Sequence, residues 1–201
     1  MKTLLIFIIC FCLNSQGYSQ IIGSLDKVTP FNDEFSAVKK GDKWGFINKN
    51  GTLVVDFRSD FVLNKTKSNN PHPIFVNERC LIKQLINDVS YYGFINTNGE
   101  KIIPATFLNA SQFKDGYAIV SVLLKDSIGF NKVLQKSISS YEIEEYVIDK
   151  SGTRIKYLEN PLNYNITKLK SQTPPKLRSK FIAPHLVAVL KKNQKWDIYK
   201  F

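Results

Sequence analysis

Two stretches of this 201-residue chain are nearly the same sequence. Lys43-Trp44-Gly45-Phe46-Ile47-Asn48-Lys49-Asn50-Gly51 is matched by Tyr91-Tyr92-Gly93-Phe94-Ile95-Asn96-Thr97-Asn98-Gly99. A third copy, Tyr146-Val147-Ile148-Asp149-Lys150-Ser151-Gly152, is weaker, and a fourth, Lys195-Trp196-Asp197-Ile198-Tyr199-Lys200, lies at the last residues given. The copies are spaced about 50 residues apart, a period at which self-similarity means an array of small units that stack on one another.

Each copy has companions. Phe31-Asn32-Asp33-Glu34 leads into Ala37-Val38-Lys39, Phe75-Val76-Asn77-Glu78 into Cys80-Leu81-Ile82, and Phe113-Lys114-Asp115-Gly116 into Ala118-Ile119-Val120. Phe181 precedes Val187-Ala188-Val189 in the same way. After the turn come Leu53-Val54-Val55, Ile102-Ile103-Pro104 and, more faintly, Thr153-Arg154-Ile155. Short apolar runs bounded by polar turns read as three strands per unit. Asn48, Asn96 and Asp149 open the turn between the second and third strands, where a short polar side chain can bond the backbone two residues on. Gly51, Gly99 and Gly152 follow three residues later, a place that favours the left-handed backbone. Only Arg79 to Val89 hints at helical periodicity. Aromatics at 12%, with Val and Ile frequent, also favour strands.

These units resemble the WG repeat, a family common in bacterial proteins and written K-W-G-F-I-D-x-x-G-x-x-V-I-P. Lys43 to Val55 resembles it closely, and Tyr91 to Pro104 does so with Tyr92 for the tryptophan. The third copy has Glu145 and Tyr146 in place of Trp-Gly, and the fourth has Asp197 for the glycine. The resemblance implies an all-β fold: an array of about four three-stranded antiparallel units, stacked like a solenoid or a propeller. Units are expected near 28–61, 75–112, 113–158 and 181–201, within a repeat domain spanning 20–201. Residues 20–27 resemble the tail of a unit, with Ile21 and Leu25 matching Ile103 and Phe107 in their distance from the next phenylalanine. That tail is expected to complete the last unit and close the array, protecting an open edge. An open stack of arbitrary phase is the alternative. Trp44 and Trp196 are expected to form a repeated core layer rather than a ligand row. Gly45 and Gly93 mark close approach of a neighbouring strand.

Residues 1–19 combine Lys2, an apolar run from Leu4 to Leu13, and Gly17-Tyr18-Ser19, which is the pattern of a cleaved secretory signal. It is too short for a permanent anchor, no transmembrane segment is expected after cleavage, and Cys10 and Cys12 lack a lipoprotein context. The chain is therefore expected to be exported, to the periplasm, cell surface or medium. Cleavage leaves Cys80 as the single cysteine, in a strand-like setting that suits a buried, inert thiol. The net charge of +11 comes mostly from scattered lysines, which suits solubility or attraction to an anionic polymer better than bidentate phosphate recognition.

Chemistry-bearing patterns are sparse. His72 and His185 are each flanked by proline, and no ligand spacing for a metal and no phosphate-binding glycine loop occurs. Glu142, Glu144 and Glu145 form an acidic cluster, and paired carboxylates can cleave a glycosidic bond. Alternation along a strand would instead place Glu142 and Glu144 together on a solvated face. No catalytic residue, cofactor or metal is expected. The polar segments 64–73, 125–141 and 159–180 are read as loops, where binding tends to reside. The function expected is a non-catalytic binding or scaffolding module for a protein or cell-envelope glycan. Its rivals are a polyanion binder and a hydrolase using Glu142 or Glu144. Nucleic acid is not an expected partner of an exported chain, despite lysines and aromatics interleaved at 39–44 and 191–196.

Overall fold

The computed structural model describes residues 21–32, 34–64, 70–133, 135–165 and 174–201, and the expected signal segment, residues 1–19, lies outside them. All regular structure among the described residues is strand, in four antiparallel sheets met one after another along the chain. The first sheet holds β1 (Lys27–Val28), β2 (Phe35–Lys40), β3 (Lys43–Asn48) and β4 (Leu53–Arg58). The second holds β5 (Phe75–Val76), β6 (Arg79–Ile86), β7 (Val89–Ile95) and β8 (Lys101–Phe107). The third runs β9 (Asn109–Ala110), β10 (Tyr117–Asn131), β11 (Lys136–Asp149) and β12 (Arg154–Tyr157), with β13 (Leu162–Asn163) also on β11. The last contains β14 (Ser179–Ala183), β15 (Leu186–Leu190) and β16 (Trp196–Lys200). The three expected strands of a unit are thus present in the first three sheets, each preceded by a two-residue strand, and the last sheet holds the preceding strand β14 with the first two, β15 and β16. The helical hint at Arg79 to Val89 resolves into β6 and the turn into β7.

Strands at the middle of the stack bury side chains on both faces, because the sheets there are covered on both sides. Ala37, Trp44 and Phe46 of the first sheet pack against Cys80, Ile82 and Ile95 of the second. Leu81, Tyr92 and Phe94, on the second sheet's other face, pack against Ala118, Val120 and Ile148 of the third. Ile119 and Val147 then meet Val187 and Val189 of the fourth. Phenylalanines cross these seams: Phe46 lies 4.5 Å from Phe75, and Phe94 lies 4.8 Å from Phe113, between ring centroids. Burying one such ring stabilises by about 2–3 kcal/mol, against about 1 kcal/mol net for a backbone hydrogen bond. The apolar seams therefore contribute most of what holds one unit to the next, with a few hydrogen bonds, such as Val62 N to Leu81 O at 3.0 Å and Lys83 N to Asp60 O at 2.8 Å, crossing between the first two.

The Asx turns repeat in space as they do in sequence. Asn48 Oδ1 accepts from the backbone N of Asn50 and Thr52, at 3.0 Å each. Asn96 does the same for Asn98 and Glu100, and Asp149 for Ser151 and Thr153. The glycine closing each turn has positive φ and rests on the preceding unit: a β-carbon on Gly99 would meet Val55, and one on Gly152 would meet Ile103. Gly51 rests in the same way on Ile21.

Residues 21–28 are thus the tail of a unit, as the match of Ile21 with Ile103 predicts. Their position corrects the expected closure. The backbone N of Asp26 bonds Lys39 O at 2.9 Å, that of Thr29 bonds Ala37 O at 3.0 Å, and β1 pairs with β2. Residues 26–29 therefore join the first sheet, and the last sheet consists of β14, β15 and β16 without them. The stacking rule itself explains this, because a tail lies under the turn of the unit that follows it, and that unit is only a few residues away.

A second correction concerns residues 125–141, expected as a loop. They form a two-stranded ribbon in which Lys125 pairs with Tyr141 and Asn131 with Lys136, with one bulge between Ser127 and Gly129. Polar and apolar side chains are mixed on both faces, which hid the strands, because a ribbon that leaves the stack has no core-facing set. Within 64–73, Asn64 bridges His72 and 65–69 lie outside the described residues. Within 159–180, β13 forms, and 166–173 lie outside.

Candidate functional site

The WG position, four residues before the Asx turns at Asn48, Asn96 and Asp149, holds a buried aromatic in the first two units and departs from that in the last two. Trp44 is 5% exposed and Tyr92 is similarly buried, both in the seams above. The fourth-unit equivalent, Trp196, is 48% exposed, which corrects the expectation that it is core. Ala188 pairs with Ile198 and Leu190 with Trp196, so these residues share the sheet face opposite Val187, Val189 and Tyr199. In the first sheet the corresponding Ala37, Trp44 and Phe46 are covered by the second sheet. On the last sheet Ala188 is buried and Leu190 half-buried, whereas Trp196 and Ile198 stand open, Ile198 at 65% exposure. Lys180, across from Ala188, sets its Nζ 4.6 Å from the centre of the Trp196 ring. The result is an open apolar face with an aromatic and a cation on it.

In the third unit the WG position is Glu145, which is buried. Its carboxylate accepts the backbone N–H of Arg178 at 2.6 Å, Asn160 Nδ2 at 2.8 Å and the hydroxyl of Ser179. A polar clamp thus replaces the aromatic and holds the chain entering β14. A buried carboxylate is tolerated only where donors converge on it, as they do here.

Glu142 and Glu144 point to the other face of β11 and are half-buried rather than solvated. The Tyr146 hydroxyl donates to Glu144, and the Tyr157 ring lies beside that of Tyr146. The two rings lie 5.2 Å apart, and the Arg154 guanidinium stands 4.5 Å from the centre of the Tyr146 ring. Burial first, and then the Glu144 carboxylate, push Tyr157 up to about 12 and raise Tyr146 as well. Glu144 is held by the Tyr146 phenol, and Glu145 faces the opposite way, so the three acids do not converge as an acid–base set.

The other candidates are absorbed locally. Cys80 is fully buried, and burial pushes its thiol well up. His72 bonds Asn70 O at 2.9 Å and lies 6.4 Å from the Trp44 ring, whereas His185 packs 5.3 Å from Tyr117 and 5.5 Å from Phe201. A groove of about 710 Å³ runs between β4 and the turn at Asn98 and Gly99. Its guanidinium, on Arg58, is held by Asp60 at 2.6 and 2.7 Å and donates to Gly99 O at 3.1 Å. That charge already has its partners and serves the seam between the first two units.

The family model for the WG containing repeat matches residues 25–44, 44–64 and 92–122. This chain carries WG repeats. No curated protein and no solved structure matches it. The first two matches run from β1 to just past β4, within the first sheet, and the third runs from β7 of the second sheet into β10 of the third. The Glu145 and Trp196 copies fall outside those spans, and they are also the two copies whose WG position leaves the buried aromatic layer. Sequence reasoning missed the burial of Glu145; the available signal was a single carboxylate at a position that is aromatic elsewhere.

Proposed function

We propose that this WG-repeat stack is an exported, non-catalytic binding or scaffolding module that engages a protein or cell-envelope glycan through the outer face of its last sheet. The observation that carries this reading is the exposed Trp196–Ile198 face, built on the register that buries Trp44 and Phe46 in the first unit. An exposed aromatic offers a flat apolar surface, and the ammonium of Lys180 beside it adds attraction for carboxylates or sugar acids. Rigid attachment to three further sheets keeps that face flat and pre-ordered, which lowers the entropy cost of binding. Export is supported by Lys2, the apolar run from Leu4 to Leu13 and the small residues around Ser19.

The test is capture of envelope extract on the immobilised chain and on its Trp196→Ala and Ile198→Ser variants. Retained material should be lost from both variants while the fold, read by circular dichroism, is unchanged. Equal retention by parent and variants would refute the assignment. Retention that is independent of Trp196 and abolished by high salt would instead support the polyanion reading, which rests on the net charge of +11.

A further inference from the structure

The β10–β11 ribbon leaves the stack and ends in a tip whose composition does not suit water. Beyond Glu142 and Ile143, where β13 pairs, the ribbon is two-stranded among the described residues. On it Ile128, Phe130, Val133 and Ile138 are all exposed, Phe130 at 54% and Val133 at 90%. Phe130 pairs with Ser137 and Gly129 with Ile138, so Phe130 and Ile138 stand on opposite faces. A ribbon docking into a protein groove would be apolar on one face only. Apolar groups on both faces and at the turn suit a medium that surrounds the tip.

The charges point to which medium. Lys132 and Lys136 flank the turn, Lys125 stands lower on the ribbon, and Asp126 is the one acid from Lys125 to Tyr141. An apolar tip with a basic collar matches the boundary of an anionic lipid surface: the apolar groups enter, and the lysine stems extend so that their ammonium groups meet the headgroups. The dimension agrees as well. From Ile128 to the turn is three strand residues, about 10 Å at the rise of a strand, and side chains at such boundaries reach about 5–10 Å deep.

We infer that the β10–β11 hairpin tip inserts end-on into an anionic lipid surface. The hairpin then anchors the stack to a membrane and leaves the Trp196 face free, so this site is separate from the one proposed above.

Flotation of the purified chain with vesicles of equal parts phosphatidylglycerol and phosphatidylcholine, and with phosphatidylcholine alone, tests it. The chain should float with the anionic vesicles and not with the neutral ones. Phe130→Ser with Val133→Ser should weaken binding by about tenfold or more. Lys132→Gln with Lys136→Gln should weaken it by about 30-fold, roughly fivefold for each lysine. These positions are exposed, so the melting curves of the variants should match that of the parent, and Trp196→Ala should float as the parent does. Failure of the parent to float, equal binding to both vesicle types, or unchanged flotation of the tip variants would overturn the inference.

Discussion

Gly93 offers the sharpest test of how a WG unit closes. A β-carbon placed there would lie 2.5 Å from Ile103 O and 2.7 Å from both Ala105 N and Pro104 C, all of them backbone atoms of β8. Ordinary contacts are about 3.5–4 Å, so β8 would have to retreat by about 1 Å. Forcing atoms into a packed site costs about 1–3 kcal/mol, and rigid backbone neighbours put Gly93→Ala at the upper end. A ladder hydrogen bond lost with the displacement adds about 1 kcal/mol. The stiffer unfolded chain of the alanine variant returns about 0.4–1 kcal/mol. The net loss is about 3 kcal/mol, or a fall in Tm of about 6–12 °C for a chain of this length. At Gly45 only Val55 O, at 2.9 Å, is comparably close, and the next atoms belong to the side chains of Leu53 and Phe57. Gly45→Ala should therefore cost about half as much. Gly129 meets nothing within 4 Å, and its alanine variant should match the parent to within about 0.5 kcal/mol. Urea and thermal unfolding followed by circular dichroism rank the three variants. Gly93→Ala as stable as the parent, or less harmful than Gly45→Ala, would refute the reasoning.

Two further predictions concern the buried polar groups. Glu145→Gln turns an amide N–H₂ toward groups that themselves donate, which should cost about 2–3 kcal/mol. The loss should appear as faster amide exchange at Ser179 to Ala183 with the first sheet unaffected, and unchanged protection there would contradict the clamp. The Cys80 thiol should ignore a disulfide reagent at mildly alkaline pH until guanidinium unfolds the chain, because burial both shields it and keeps it protonated; prompt reaction of the folded protein would show that the seam between the first two sheets opens readily.

Much of the architecture is legible in the sequence because local chemistry and stacking agree. The Asx turns at Asn48, Asn96 and Asp149 are readable from residue type alone, since side chain and glycine serve one backbone geometry. The match of Ile21 with Ile103 shows that the first residues of the repeat domain are a unit's tail. Which sheet receives that tail is a matter of neighbourhood and not of pattern, and the expected closure was wrong for that reason. Trp196 misleads because burial of a sheet face depends on what lies over it, and the repeat pattern encodes only the register. Glu145 and the 125–141 ribbon escape for a shared reason. Period-2 patterning reports apolar faces, and it is blind both to a buried carboxylate and to strands with no core to face. Of the proposed binding faces, the sequence shows the residues and the structure adds their exposure.

The account rests on sheets stacked face to face, with the WG aromatic sealed between units in the first copy and open in the last. Acrylamide quenching of the two single-tryptophan proteins, Trp196→Phe and Trp44→Phe, measures this directly. Trp44, alone in the first, should emit at short wavelength and resist the quencher, whereas Trp196, alone in the second, should emit further to the red and be quenched readily. Similar quenching of both residues, or protection of Trp196 with exposure of Trp44, would contradict the stack.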